Sequence, residues 1–178
     1  AIESADIKAI SPAALAGLSA DQIGQLTPGQ VAALGSAQIA GLKVDQLAGL
    51  STASIAGLSS AQVAGLSPAQ VAGMTTGQLA AIESADIKAL STAAVHALSA
   101  DQLAAMGSNQ FAAFTTAQVG VLNAEQLAGL GTVNLNALGT AQFAVLGSAQ
   151  VAALTTAQVA GLANADVAAL NTAALRGL

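Results

Sequence analysis

From Glu3 to Leu178 the chain is an uninterrupted tandem array: these 176 residues divide into 22 octapeptides (22 × 8) with no insertion or deletion. Octad 1 is Glu3–Ile10 and octad 22 is Asn171–Leu178, with SPAQVAGM at Ser67–Met74 as a representative unit. Positions 5 and 8 are apolar in every copy, as in Ile7 and Ile10, Val71 and Met74, or Phe111 and Phe114. Position 4 is usually Gln, position 7 nearly always Gly or Ala, and position 1 favours Ser, Thr, Gly or Asn. A period of eight limits the fold to structures that repeat in small steps.

Each octad reads as one very short helix. Ser or Thr at position 1 with Gln three residues later is a capping box, in which side chains satisfy free backbone N–H groups reciprocally. The three prolines, Pro12, Pro28 and Pro68, all occupy position 2, the first helical position, where a missing N–H is harmless. Proline also drives the residue before it out of the helical region. Ala-Gln-Val-Ala propagates well, and a Gly at position 7 or a bend after position 8 ends the segment. Position 3 carries Asp21, Asp45, Asp101 and Glu125, acids in a first turn where the helix dipole favours them.

The period excludes one long helix. At about 100° per residue, eight residues leave an offset of roughly 80°, so positions 5 and 8 would spiral around the rod and form no stripe. Coiled coils need a period of about 7 or 11. The fold class expected is therefore all-α, a solenoid of short capped helices, one per octad. A β-solenoid is the alternative, because short strict repeats also suit stacked strands. Positions 5 and 8 have opposite strand parity, however, and alanine is poor in strands.

A second period overlies the first. Ala1–Ser11 (AIESADIKAIS) returns at Ala81–Ser91 (AIESADIKALS), and Asp6, Asp86 and Asp166 keep the same 80-residue register. The chain thus reads as a single elongated repeat domain over residues 1–178, with blocks 1–80 and 81–160 and a partial block 161–178. If equivalent marks share a side, ten octads make a whole number of coils, which predicts two or five octads per coil. Position 6, mostly Ala, accepts Lys8, Lys88, His96, Asn136 and Arg176 and should face solvent. Gln at position 4 is expected to close the cap rather than to stack in an amide ladder, since Asp6, Asp86 and Asp166 stand in for it. Small residues at positions 3 and 7 should let coils approach closely.

Apolar residues make up 54% of the chain but aromatics only 2%, so the core is a thin one of aliphatic side chains drawn out lengthwise. Four basic residues against a net charge of −5 argue against nucleic acid, which needs clustered Lys and Arg. Every apolar run is broken well short of the roughly 18 residues a membrane span requires, and no signal peptide is visible. The start at Ala1 rather than Met is what a fragment or processed product has. Neither end carries the polar capping repeat usual in solenoids, so the array either continues in a longer parent or stacks head to tail with a second copy.

Chemistry finds little support. His96 is the only histidine, at an outward position without a distinctive partner, and reads as a surface residue. No Cys, no paired His and nine scattered carboxylates leave no metal-ligand set. The glycines follow no phosphate-binding fingerprint. No catalytic residue, metal site or cofactor is expected, and the protein is expected not to be an enzyme. Ser and Thr at positions 1 and 2, as in Thr75-Thr76, Thr115-Thr116 and Thr155-Thr156, could form a hydroxyl ladder down one edge suited to a surface, glycan or ice, although capping and solubility explain them more simply.

The units TTAQVAGL, GSAQVAAL and SPAQVAGM resemble the tandem "TAQVAAL"-type octapeptide tracts of very large, adhesin-like bacterial surface or secreted proteins. That resemblance covers essentially the whole chain. It implies an exported bacterial stalk at the cell surface or outside the cell. The partners expected are the chain's own coils and, through open ends, another copy of itself.

Overall fold

The computed structural model describes residues 3–176. Among the described residues every regular element is an α-helix of four to six residues, and each octad contributes one, from Ser4–Ile7 in octad 1 to Thr172–Leu175 in octad 22. The all-α solenoid is the fold; the strand alternative is not.

The local signals act as their chemistry dictates. Position 1 is extended in every copy (Ser67 has φ −73° and ψ 157°), and the hydroxyls of Ser67, Thr115 and Thr155 accept from the backbone N–H three residues on. Pro12, Pro28 and Pro68 each stand at the start of their helix. Where position 1 is Gly35 or Lys43, only half of the box forms: the Gln side-chain oxygen accepts the backbone N–H of position 1. Glycine does not end the helices through a left-handed residue, since no described residue has positive φ. The chain bends instead at position 8, which is extended where it caps the helix, as at Leu34 and Ile82.

Helix packing follows one rule. The helix of each octad lies against the helix three octads earlier and the one three octads later, along the whole array. Between these layers, positions 5 and 8 form one continuous core: Ile39 and Leu42, Leu79 and Ile82, and Phe111 and Phe114 are all buried. The two phenylalanines pack with ring centroids 5.3 Å apart. Position 6 faces out, as Lys8, Lys88, His96 and Asn136 all do.

Position 7 abuts position 2 of the octad three earlier and is mostly small, with Val121 and Val145 among the exceptions. A methyl group on Gly73 would lie 2.1 Å from Val44 Cγ1, and one on Gly129 would lie 2.8 Å from Ala100 Cβ. Position 3 is exposed, as at Asp45, Gly77 and Asp101, so close approach does not depend on it; besides position 7 it involves Gly24, where an added methyl group would stand 2.8 Å from the Gly49 carbonyl oxygen.

The expected two or five octads per coil is wrong. Hydrogen bonds between coils join residues 25 to 31 apart, which is between three and four octads. The error lay in requiring a whole number. Helices pack three octads apart while position-4 side chains reach four octads back, just as residues three and four apart meet on an α-helix of 3.6 residues per turn. An 80-residue block spread over three coils gives about 27 residues each (80/3), inside the observed span.

Candidate functional site

The most specific chemistry in the molecule is the row of position-4 glutamines between coils. Gln118 is representative and is only 2% exposed. Its Oε1 accepts from Thr115 N–H at 2.8 Å, which closes the capping box. Its Nε2 donates to the Ile87 carbonyl at 2.9 Å and the Leu90 carbonyl at 2.7 Å, on octad 11, four octads back. The same two-way geometry recurs at Gln38, Gln46, Gln62, Gln70, Gln78 and beyond.

A primary amide side chain is suited to this, and Gln has the reach at position 4. Its amide carries acceptor and donor on one rigid plane, so a single residue caps its own helix and supplies a donor to the earlier coil. The position-8 carbonyl lies just past the end of its helix, where such groups need an outside partner. The reading of Gln as a cap is correct for its oxygen. Its nitrogen makes no amide ladder but bonds the main chain of the preceding coil. Local spacing holds no signal for that second role; the only clue was the choice of Gln, where a box closes equally well with Glu.

Acids at position 4 do not reproduce it. Asp86 is buried, and its helix has no side-chain cap at Glu83. Its carboxylate accepts instead from the Ser60 hydroxyl, three octads earlier. Asp166 is 7% exposed, and burial pushes its carboxyl above the ordinary carboxylate range. Asp6 is exposed at the first coil. The helix-capping explanation of these three acids fails for Asp86.

His96 is exposed as expected, but it has a partner: its Nδ1 lies 2.8 Å from the Val121 carbonyl, three octads on. Asn136, also at position 6, donates to the Gly161 carbonyl at the same register. With Thr92, Ala93 and Val121, His96 lines a shallow open depression that brings no second titratable group to the imidazole. Among the described residues no three His, Cys, Asp or Glu gather as a metal site, and no helix is long and apolar enough to cross a membrane.

Of the Ser/Thr positions, Thr75, Thr115 and Thr155 at position 1 have their hydroxyls engaged as caps.

Helices of one octad, stacked by nearest-neighbour contacts with a hydrogen-bonded row between layers, define a tandem-repeat solenoid protein. The chain matches the ALTTAQ repeat over residues 1–36, 26–52, 39–76, 79–116, 104–132 and 130–164. These matches tile most of its length, and the chain belongs to that repeat family. No curated protein matches it significantly.

Proposed function

We propose that this structural repeat protein serves as a non-enzymatic spacer: a stalk or fibre body whose length is set by the number of octads, in a bacterial surface or extracellular assembly. The observation that supports it is the continuous core with its row of position-4 glutamines, which use the conspicuous side chains of the repeat to hold coil to coil. The location rests on the resemblance to surface-protein repeat tracts alone.

A filament subunit is the second reading, and the end surfaces favour it. In the first octads the position-8 residues Ile10, Leu18 and Leu26 are only partly buried, and in the last octads the position-5 residues Val159 and Leu175 are 36% and 43% exposed. Each surface would be covered by one more coil, from the same chain or from a second copy.

Electron microscopy with light scattering across a concentration series tests both readings. Rods of one length, longer by a fixed increment when residues 81–160 are duplicated, support the spacer. Fibres of constant width that grow with concentration support the filament. Compact particles whose longest dimension ignores added octads would overturn both.

A further inference from the structure

The glutamine links are unevenly distributed along the array. Every departure from Gln at position 4 falls into one of three series in the 80-residue register: Asp6, Asp86 and Asp166; Ala14, Ala94 and Ala174; and Ser54 with Asn134. In the first two series the departures occupy adjacent octads: at Asp86 and Ala94 two successive links are lost together, whereas beside Ala174 Asn171 donates to the Ala144 and Leu146 carbonyls instead.

The loss is concentrated where octad 10 meets octad 11, between Ile82 and Glu83. Four position-4 residues follow that point closely enough to reach back across it: Asp86, Ala94, Gln102 and Gln110. Gln102 donates to the Ala72 and Met74 carbonyls, and Gln110 to those of Leu79 and Ile82. Asp86 and Ala94 have no donor to offer the carbonyls of octads 7 and 8. Across the boundary at Leu98 and Ser99, by contrast, Gln102, Gln110, Gln118 and Gln126 all reach back.

The isolated departures do less harm. Asn134 still donates to the Met106 carbonyl, and Ser54 lies between the linking octads of Gln46 and Gln62. Packing does not weaken in step: Leu79, Ile82, Ile87 and Leu90 are each 3% exposed or less. The Ser60–Asp86 contact ties side chain to side chain, where a glutamine would hold two main-chain carbonyls.

We infer that the solenoid contains a joint centred on Ile82–Glu83, where interior coils part first. A nearest-neighbour array opens where its interface is weakest. A spacer built this way yields at a set place instead of at random. The joint itself rests on the hydrogen bonds and stands whether or not the protein is a stalk.

Hydrogen–deuterium exchange with mass spectrometry on the 178-residue chain tests it. Peptides covering residues 51–66 and 83–98 should exchange roughly 10- to 100-fold faster than those covering 99–130, the size expected from losing two or more hydrogen bonds at a local opening. Asp86→Gln combined with Ala94→Gln should remove that difference. Uniform protection from 51 to 130 in the unaltered chain would overturn the joint, and needs no variant to fold. So would protection that simply rises from each end to the middle, or fast exchange that persists in a folded double variant.

Discussion

Replacing Gln118 with Glu separates the two roles of the position-4 side chain. Glutamate keeps an oxygen for the Thr115 N–H, so the cap survives. It loses the amide nitrogen that now donates to the Ile87 and Leu90 carbonyls at 2.9 and 2.7 Å. The Leu90 carbonyl is left without a donor, at about 1–3 kcal/mol, whereas the Ile87 carbonyl still accepts from the Leu90 N–H and loses a bond worth about 0.5–1.5 kcal/mol, so Gln118→Glu should destabilise the chain by roughly 1.5–4.5 kcal/mol at neutral pH. A carboxylate held against two carbonyl oxygens adds a desolvation cost on top. That cost raises the folded-state pKa of the new Glu above its unfolded value. Its penalty is then smallest in acid and grows as pH rises through the folded pKa. Urea denaturation followed by circular dichroism, at pH 7 and near pH 4, reads both effects. A midpoint at pH 7 equal to that of the unaltered chain would refute the argument, since a cap alone would not notice the change.

Three further outcomes follow from the packing and the electrostatics. Leu90→Asp puts a charge where Leu90 is 3% exposed and should cost more than about 4 kcal/mol, read as a collapse of the melting temperature. Gly73→Ala drives a methyl group into Val44 and should cost about 1–3 kcal/mol, as overpacking does. Val44→Ala in the same chain should restore the loss, so additive costs in a double-mutant cycle would count against the contact. Asp166 has a raised folded pKa, so its ionisation opposes folding: its share of stability is present at low pH and lost as pH rises through that pKa. Asp166→Asn should therefore match the parent near pH 3 and melt higher at pH 7, and curves that converge at neutral pH instead would contradict the sign.

The secondary structure was legible because its determinants are local. Pro28 at the first helical position, Thr75 with Gln78 and the apolar pair Leu79 and Ile82 all act within one octad. The coil was not legible, because nothing within an octad says how far away the next layer lies. Gln78 shows why: its oxygen answers to Thr75, three residues away, but its nitrogen answers to Leu47 and Leu50, 31 and 28 residues away. The 80-residue register was visible in Asp6, Asp86 and Asp166. Its meaning was misread, because an Asp at a capping position looks like a short Gln, while Asp86 faces Ser60 across the coil. His96 was placed correctly outside, but a carbonyl contact 25 residues ahead leaves no trace in composition or spacing.

The central claim is the coil itself, between three and four octads, and the absence of cysteine from the sequence makes it directly testable by cross-linking. A methyl group on Gly161 would stand 3.5 Å from Thr132 Cγ2, so side chains at these two positions meet across one turn of the coil. Thr132→Cys with Gly161→Cys should therefore oxidise rapidly to an intramolecular bridge in the folded chain. Thr132→Cys with Ser148→Cys, two octads apart, should stay reduced under the same conditions. The reverse pattern would mean a two-octad coil, and the architecture described above would be wrong.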